Sequence, residues 1–197
     1  MYSHSCRSFK ALLVSSNESV QSLLLTGAAP NNTEILHKDS IYAAVGLAAP
    51  VLEQKLDFQA FLTSTILYEV QSQQPGYNIL RRRIAIILGQ WLPVKEGLHR
   101  PLIYQMFGHL LDREDPLNDQ VVRITAGRQL KNVIDPFEFA AEPFMPYVPV
   151  TLGRIMELIK EVELPETKMA LLNTVSVIVL KMERHVYSSF YGFYEVG

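Results

Sequence analysis

Residues 79–91 read ILRRRIAIILGQW. Three consecutive arginines stand inside a run that is otherwise almost wholly apolar. A surface helix spreads its charges over one face, and a core strand carries none. At about 100° per residue, Leu80, Ile84, Ile87, Leu88, Trp91 and Leu92 form a broad apolar arc, and Ile79 and Ile86 extend it on another side. Arg83 and Gln90 share one narrow polar strip, with Arg82 at its edge. Arg81 falls within the apolar arc but in the first turn, where its head can escape past the helix end. Such a helix is sandwiched between neighbours and meets solvent along one strip. Arginine suits that position because its stem covers apolar surface while the guanidinium reaches water or a carboxylate.

The segments on either side read as helix too. Long alternating strand patterns and Asn-Gly or Asp-Gly hairpin signals are missing. Pro50, Pro75, Pro93, Pro116, Pro136 and Pro165 fall between apolar-periodic segments, where proline stops or starts helices. The pattern predicts a weak helix near 8–25 and further helices at about 38–49, 57–72, 77–92, 101–111, 119–134, 146–162 and 165–185. Short connections make neighbours antiparallel hairpins.

Those helices repeat. Ala44, Ala85 and Ala126 are spaced 41 residues apart both times. In the same register Arg82 lines up with Arg123, and Asn78 with Asp119, which has the chemistry of a helix N-cap. A period of about 40–47 residues with two helices per unit is that of HEAT and armadillo arrays. The expected fold is therefore all-α, a HEAT-repeat α-solenoid of antiparallel helix pairs stacked in a right-handed superhelix; a globular helical bundle is the competing arrangement. Each pair buries only part of its apolar surface alone, and stacking closes the core. Small residues at Ala44, Ala85 and Ala126 let helices approach. Residues 1–37 read as a weakly helical or irregular segment, 38–186 as the repeats, and 187–197 as an aromatic-rich tail.

Two roles compete for the arginines. Arg82 and Arg123 form a ladder of hydrogen bonds to the adjoining repeat, or Arg82 and Arg83 face an acidic partner. With Gln90 and Arg123, they are the candidate partner-binding residues on the inner helices.

Composition excludes several classes. The chain has 197 residues, 48% hydrophobic and 19% charged, with a net charge of −2. That supports a folded core and gives no global charge excess for nucleic acid. The single cysteine, Cys6, forms no internal disulfide or cysteine metal cage. A reducing compartment fits such cysteine usage. The apolar runs 41–52 and 169–180 fall short of the ~20 residues that span a bilayer. GxSxG, GxGxxG, P-loop, HExxH and CxxC motifs are absent, and no two of the five histidines stand four residues apart. The loop DREDPLND (112–119) reads as an exposed acidic turn rather than a metal site. The reading is of a non-enzyme without cofactor or metal. The apolar last helix and aromatic tail predict a chain that is marginal, or that associates, on its own.

LRRRIAIILGQW (80–91), VVRITAGRQLKNVIDPFEF (121–139) and PFMPYVPVTLGRIMELIKEVELPETKMALLNTVSVIV (143–179) together resemble the middle HEAT repeats of the importin-β (karyopherin-β) nuclear transport receptors. Within that family they are similar to the importin eleven branch and its fungal counterparts. KDSIYAAVGLAAPVLEQKLDFQAFL (38–62) fits as well, so the resemblance covers about 38–186. The order RRR, GQW, VVRI, DPFEF, TKM is its most specific part.

The resemblance implies a superhelical solenoid that carries protein cargo through the nuclear pore and binds the small GTPase Ran in its GTP form. It implies contacts with nuclear pore proteins, no direct nucleic-acid binding and no membrane insertion. Residence would be in nucleus and cytoplasm and at the nuclear envelope. Family cargo contacts lie largely on the concave face, lined by the second helix of each pair, which places Arg82, Arg83 and Arg123 near it. The family's amino-terminal Ran-binding repeats are not recognisable in these residues. A HEAT scaffold for a non-transport complex explains the period equally well.

Overall fold

Gly76 begins the central hairpin. It follows Pro75 and adopts φ 84°, a left-handed conformation that glycine enters without steric cost. That turn reverses the chain between the 58–71 helix and the helix holding the three arginines. A computed structural model describes residues 32–93, 98–136 and 139–191, with side chains as far as residue 183. The expected helix near 8–25, Cys6 and the tail beyond Tyr191 lie outside the described residues.

The elements are α1 (Asn32–Leu47), α2 (Ala49–Leu52), α3 (Phe58–Phe61), a π-helical turn (Leu62–Ile66), α4 (Leu67–Gln71), α5 (Tyr77–Trp91), α6 (Arg100–Leu110), α7 (Gln120–Ile134), α8 (Val148–Glu161) and α9 (Pro165–Tyr191). The α3–π–α4 run forms one rod, here called the 58–71 helix. Local chemistry sets most boundaries. Asp57 accepts from the Ala60 amide at 2.9 Å, and Asp119 from the Val122 amide at 2.8 Å. His99 caps α6 through Nδ1, and Pro101 and Pro149 occupy first turns that need no amide donor.

Helix α1 begins six residues ahead of the expected Lys38. Ile35 is the reason: it is buried with Tyr77 and Leu80 in a small cluster of its own. At the other end α9 continues to Tyr191, so the first residues of the expected tail are helical.

The helices form two rows. Helices α1, α5, α7 and α9 lie side by side in one, and the 58–71 helix, α6 and α8 cover them in the other. Successive pairs are 58–71 with α5, α6 with α7, and α8 with α9. Asn78 contacts Asp119, and Gly89 faces Gln129. A nearly constant separation along both helices means that α5 and α7 run parallel. Such a stack of antiparallel pairs is a HEAT-type solenoid.

One continuous core runs through it. Trp91 is fully buried and stacks on Phe58 with ring centroids 4.3 Å apart and planes within 5°. Its indole N–H donates to the Val45 carbonyl at 3.2 Å, joining α5 to both α1 and the covering row. Ala85 and Ala126 are buried, but Ala44 only partly. Within the stacked row, approaches that leave no room for a Cβ fall at three glycines. A Cβ on Gly46 would lie 2.0 Å from the Gln90 Oε1, on Gly89 2.3 Å from the Gln129 Oε1, and on Gly127 2.6 Å from the Leu171 Cδ2.

Candidate partner-binding face

The three arginines of α5 occupy three environments. Arg81 does not escape past the helix end. It is fully buried, with one guanidinium nitrogen 2.8 Å from both Asp115 and the Asn118 Oδ1, and the other donating to the Ser72 carbonyl at 3.0 Å. Arg83 forms a two-pronged contact with Asp39 of α1, at 2.7 and 3.1 Å. Arg82 is exposed and makes no hydrogen bond or ion pair to the described residues.

A ladder between repeats does exist, but it runs through Arg81 and not Arg82. Arg81 reaches the α6–α7 loop of the next unit. Arg123 does the corresponding work one unit on: it contacts Glu161, at the end of α8, at 2.8 Å and the Asn118 carbonyl at 3.2 Å. The matching positions are therefore 42 residues apart, one more than the alanine register suggests. Asp119 adds a second link, since it caps α7 and also accepts from Asn78 at 2.9 Å.

The loop 112–119 is half structural. Glu114 and Arg113 are exposed, whereas Asn118 is buried and Asp115 nearly so. Asn118 donates to the carbonyls of His109 and Asp112 while accepting from Arg81. Burial pushes the Asp115 carboxyl up, but hydrogen bonds from Arg81, Gln73 and the Leu117 amide outweigh it and hold the group below its ordinary value. His109 lies 3.0 Å from the Val70 carbonyl and 3.3 Å from Asp115. A second buried group joins α1 to the 58–71 helix: Glu69 contacts Lys38 and accepts from the Tyr42 hydroxyl at 2.9 Å. Burial raises the Glu69 carboxyl, against the opposing pull of Lys38. These groups join helices, and their polar atoms point at one another. On the covering row, an open groove of about 290 Å³ between α6 and α8 includes His109, Asp112, Tyr147 and Arg154, with Arg154 held on Asp112 and the Gly108 carbonyl.

Of the four residues picked out in the sequence, Gln90 packs against Gly46, Arg83 is half-buried on Asp39, and Arg123 is largely covered on Glu161. Arg82 alone stands on the open side of the stacked row. Its companions there are Ile79 and half-buried Ile86 on α5, and Val121, Thr125, Arg128 and Asn132 on α7. The α7 positions follow the four-three-four spacing of one helix face, a signal the sequence carried. Asp39, Asp115 and Asn118 carried none, because what they contact is distant in the chain.

Among the described residues, no group of three His, Cys, Asp or Glu side chains is placed to hold a metal ion. No described helix is long and apolar enough to cross a membrane. The arrangement is one of helix-lined surfaces, suited to contact with macromolecules.

No family model matches the chain. It is 35% identical over 162 residues to Importin-11 of Mus musculus, which covers 80% of this chain and 16% of that protein. It is 29% identical over 153 residues to Importin beta-like protein KAP120 of Saccharomyces cerevisiae, covering 75% and 14%. Among solved structures it superposes with a TM-score of 0.71 and 29% identity on Lph2, described as a novel bidirectional nuclear transport receptor in S. cerevisiae. That match covers 77% of this chain and 15% of the other.

Proposed function

The chain belongs to the importin-β family, in its importin-11-like branch, and from that premise we propose that it is a cargo-binding segment of a nuclear transport receptor. It spans about one sixth of the length of the importin-11 relatives it matches, so receptor activity belongs to a longer assembly of repeats. The observation that carries the proposal is the combination of that similarity with an unbroken row of parallel helices whose open side keeps polar and apolar groups exposed. Arg82 is the residue most available for contact. Arg83, Gln90 and Arg123 shape the same surface from its edges, and each gives up an internal contact if it turns to a partner.

On this reading the protein shuttles between cytoplasm and nucleus. It releases or takes up cargo as Ran-GTP binds elsewhere on the receptor, and it meets nuclear pore proteins during passage. The protein does no chemistry on its cargo; it works by reversible burial of surface. The test is capture of the full-length parent on Ran locked in the GTP form, with the GDP form as control. GTP-dependent capture supports the receptor reading. Equal capture on both forms, or on neither, overturns it.

A further inference from the structure

Among the described arginines, Arg82 and Arg128 are the exposed ones without a carboxylate; Arg100, half-buried, also has none but lies beside Tyr104 on the covering row. Arg81, Arg83, Arg113, Arg123 and Arg154 each contact a carboxylate. Arg82 and Arg128 are exposed on the open side of adjacent helices and make no hydrogen bond or ion pair to the described residues. The nearby carboxylates are already engaged. Asp39 is held by Arg83, Asp119 by Asn78 and the Val122 amide, and Glu161 by Arg123. Apolar side chains flank the two cations: Ile79 is 37% and Val121 53% exposed.

The parallel register gives their spacing. Asn78 pairs with Asp119 and Gly89 faces Gln129, so Arg82 is level with residues 122–123 of α7. Arg128 is five to six residues farther along. At about 1.5 Å rise per residue and about 9 Å between axes, the two stems are about 12 Å apart. An extended chain advances about 3.3 Å per residue, with side chains alternating between faces. Residues i and i+4 of such a chain therefore lie about 13 Å apart on one face, and residue i+2 points the same way between them. The position beneath i+2 is the shallow floor made by Ile86 and Thr125.

We propose that the open face of α5 and α7 binds an extended partner segment in which two acidic residues four apart bracket a central apolar residue. Arg82 and Arg128 take the carboxylates, and the side chain between them lies over Ile86 and Thr125. This deepens the cargo-binding reading above and rests on it for the biological identity of the partner. The charge complementarity stands independently. Guanidinium forks match carboxylates in two-pronged geometry, so lysine does not substitute fully at either site.

The test uses the intact chain and three fluorescein-labelled 13-residue peptides in an anisotropy titration. One carries Glu-Ser-Leu-Ser-Glu at its centre, one Lys-Ser-Leu-Ser-Lys, and one Glu-Ser-Ser-Ser-Glu. The acidic-apolar peptide is expected to bind at least tenfold more tightly than the basic one and several-fold more tightly than the one lacking leucine. Binding should weaken as salt rises. The double variant R82E/R128E, both positions exposed and so without effect on folding, should lose tenfold or more. Equal binding of acidic and basic peptides, no binding of either, or an unchanged double variant overturns the proposal. Thr125→Trp fills the floor and should weaken the acidic-apolar peptide at least several-fold; unchanged binding overturns the proposal. If it abolishes binding of the basic peptide instead, the face is a docking surface of different chemistry: the acidic-segment inference fails while the cargo reading survives. Conversely, acidic-peptide binding without GTP-dependent capture of the parent overturns the receptor reading and leaves this one standing.

Discussion

Helices α5 and α9 occupy equivalent places in their units, yet they end up in different surroundings. α5 lies between α1 and α7 under the 58–71 helix, and nine of its residues are buried. α9 has α7 on one side and α8 above it, and it exposes Met169, Leu172, Val179 and Leu180. Both sequences are strongly apolar. What differs among the described residues is the number of neighbours, so a helix in a stacked array takes its burial from the adjoining unit rather than from its own pattern.

The contrast predicts a gradient of sensitivity. Trp91→Ala removes a fully buried ring stacked on Phe58 and should cost about 3–5 kcal/mol in a urea melt. A loss below about 1 kcal/mol would mean that α5 is not the keystone its surroundings suggest. Arg81→Met should cost about 3 kcal/mol, because it leaves Asp115 and Asn118 without their buried donor. This substitution also has a pH signature. The Asp115 carboxyl is depressed in the fold, so its stabilisation is present above the ordinary aspartate value of about 4 and is lost as pH falls through the folded value. The wild-type chain should lose stability on the acid side of pH 4, and Arg81→Met should flatten that limb. An unchanged acid limb would show that the Arg81–Asp115 contact does not set it.

Gly127→Val probes the junction between the two regions. Its first added carbon would lie 2.6 Å from Leu171, and the Gly127 carbonyl accepts from Thr174 at 3.0 Å. A cost of about 1–3 kcal/mol is expected, with α9 amides exchanging faster than those of α5. Uniform exchange in both helices would remove the distinction between them. Smallest of all, Leu172→Ser on the exposed face of α9 should change stability by no more than about 0.5 kcal/mol. It should also lower binding of a hydrophobic dye; a large destabilisation would mean that this face is covered after all.

Helix positions were legible because their signals are local. Asp57, Asp119, Pro75, Pro101 and Pro165 act within a few residues of themselves, and the helix ends fall where they stand. The arginine assignments depended on neighbours. The helical angle of Arg81 placed it correctly among apolar residues, but nothing in that angle shows a carboxylate arriving from residue 115. Arg83 is a candidate for an acidic partner in the sequence, and its actual carboxylate, Asp39, lies 44 residues back. The small-residue contacts were expected at alanines on the strength of their even spacing. Contacts that leave no room for a side chain occur at Gly46, Gly89 and Gly127, where the separation changes from one interface to the next. Arg128 on the open face was visible in principle from the 121, 125, 128, 132 spacing, which marks a solvent stripe without its neighbours being known.

The placement of those glycines has a mechanical side. Between α1 and α5, and again between α5 and α7, long charged or amide side chains bridge the starting halves of the helices, while a glycine sits against a glutamine near their ends. Each junction thus has a long spacer at one end and a short one at the other, like a tapered stone in an arch. Tapered units laid side by side turn instead of running straight. The curvature that lets an array wrap an object is then written in a few glycines, and adding a methyl group at one of them is a way to change the radius of the wrap without touching the surface that does the holding.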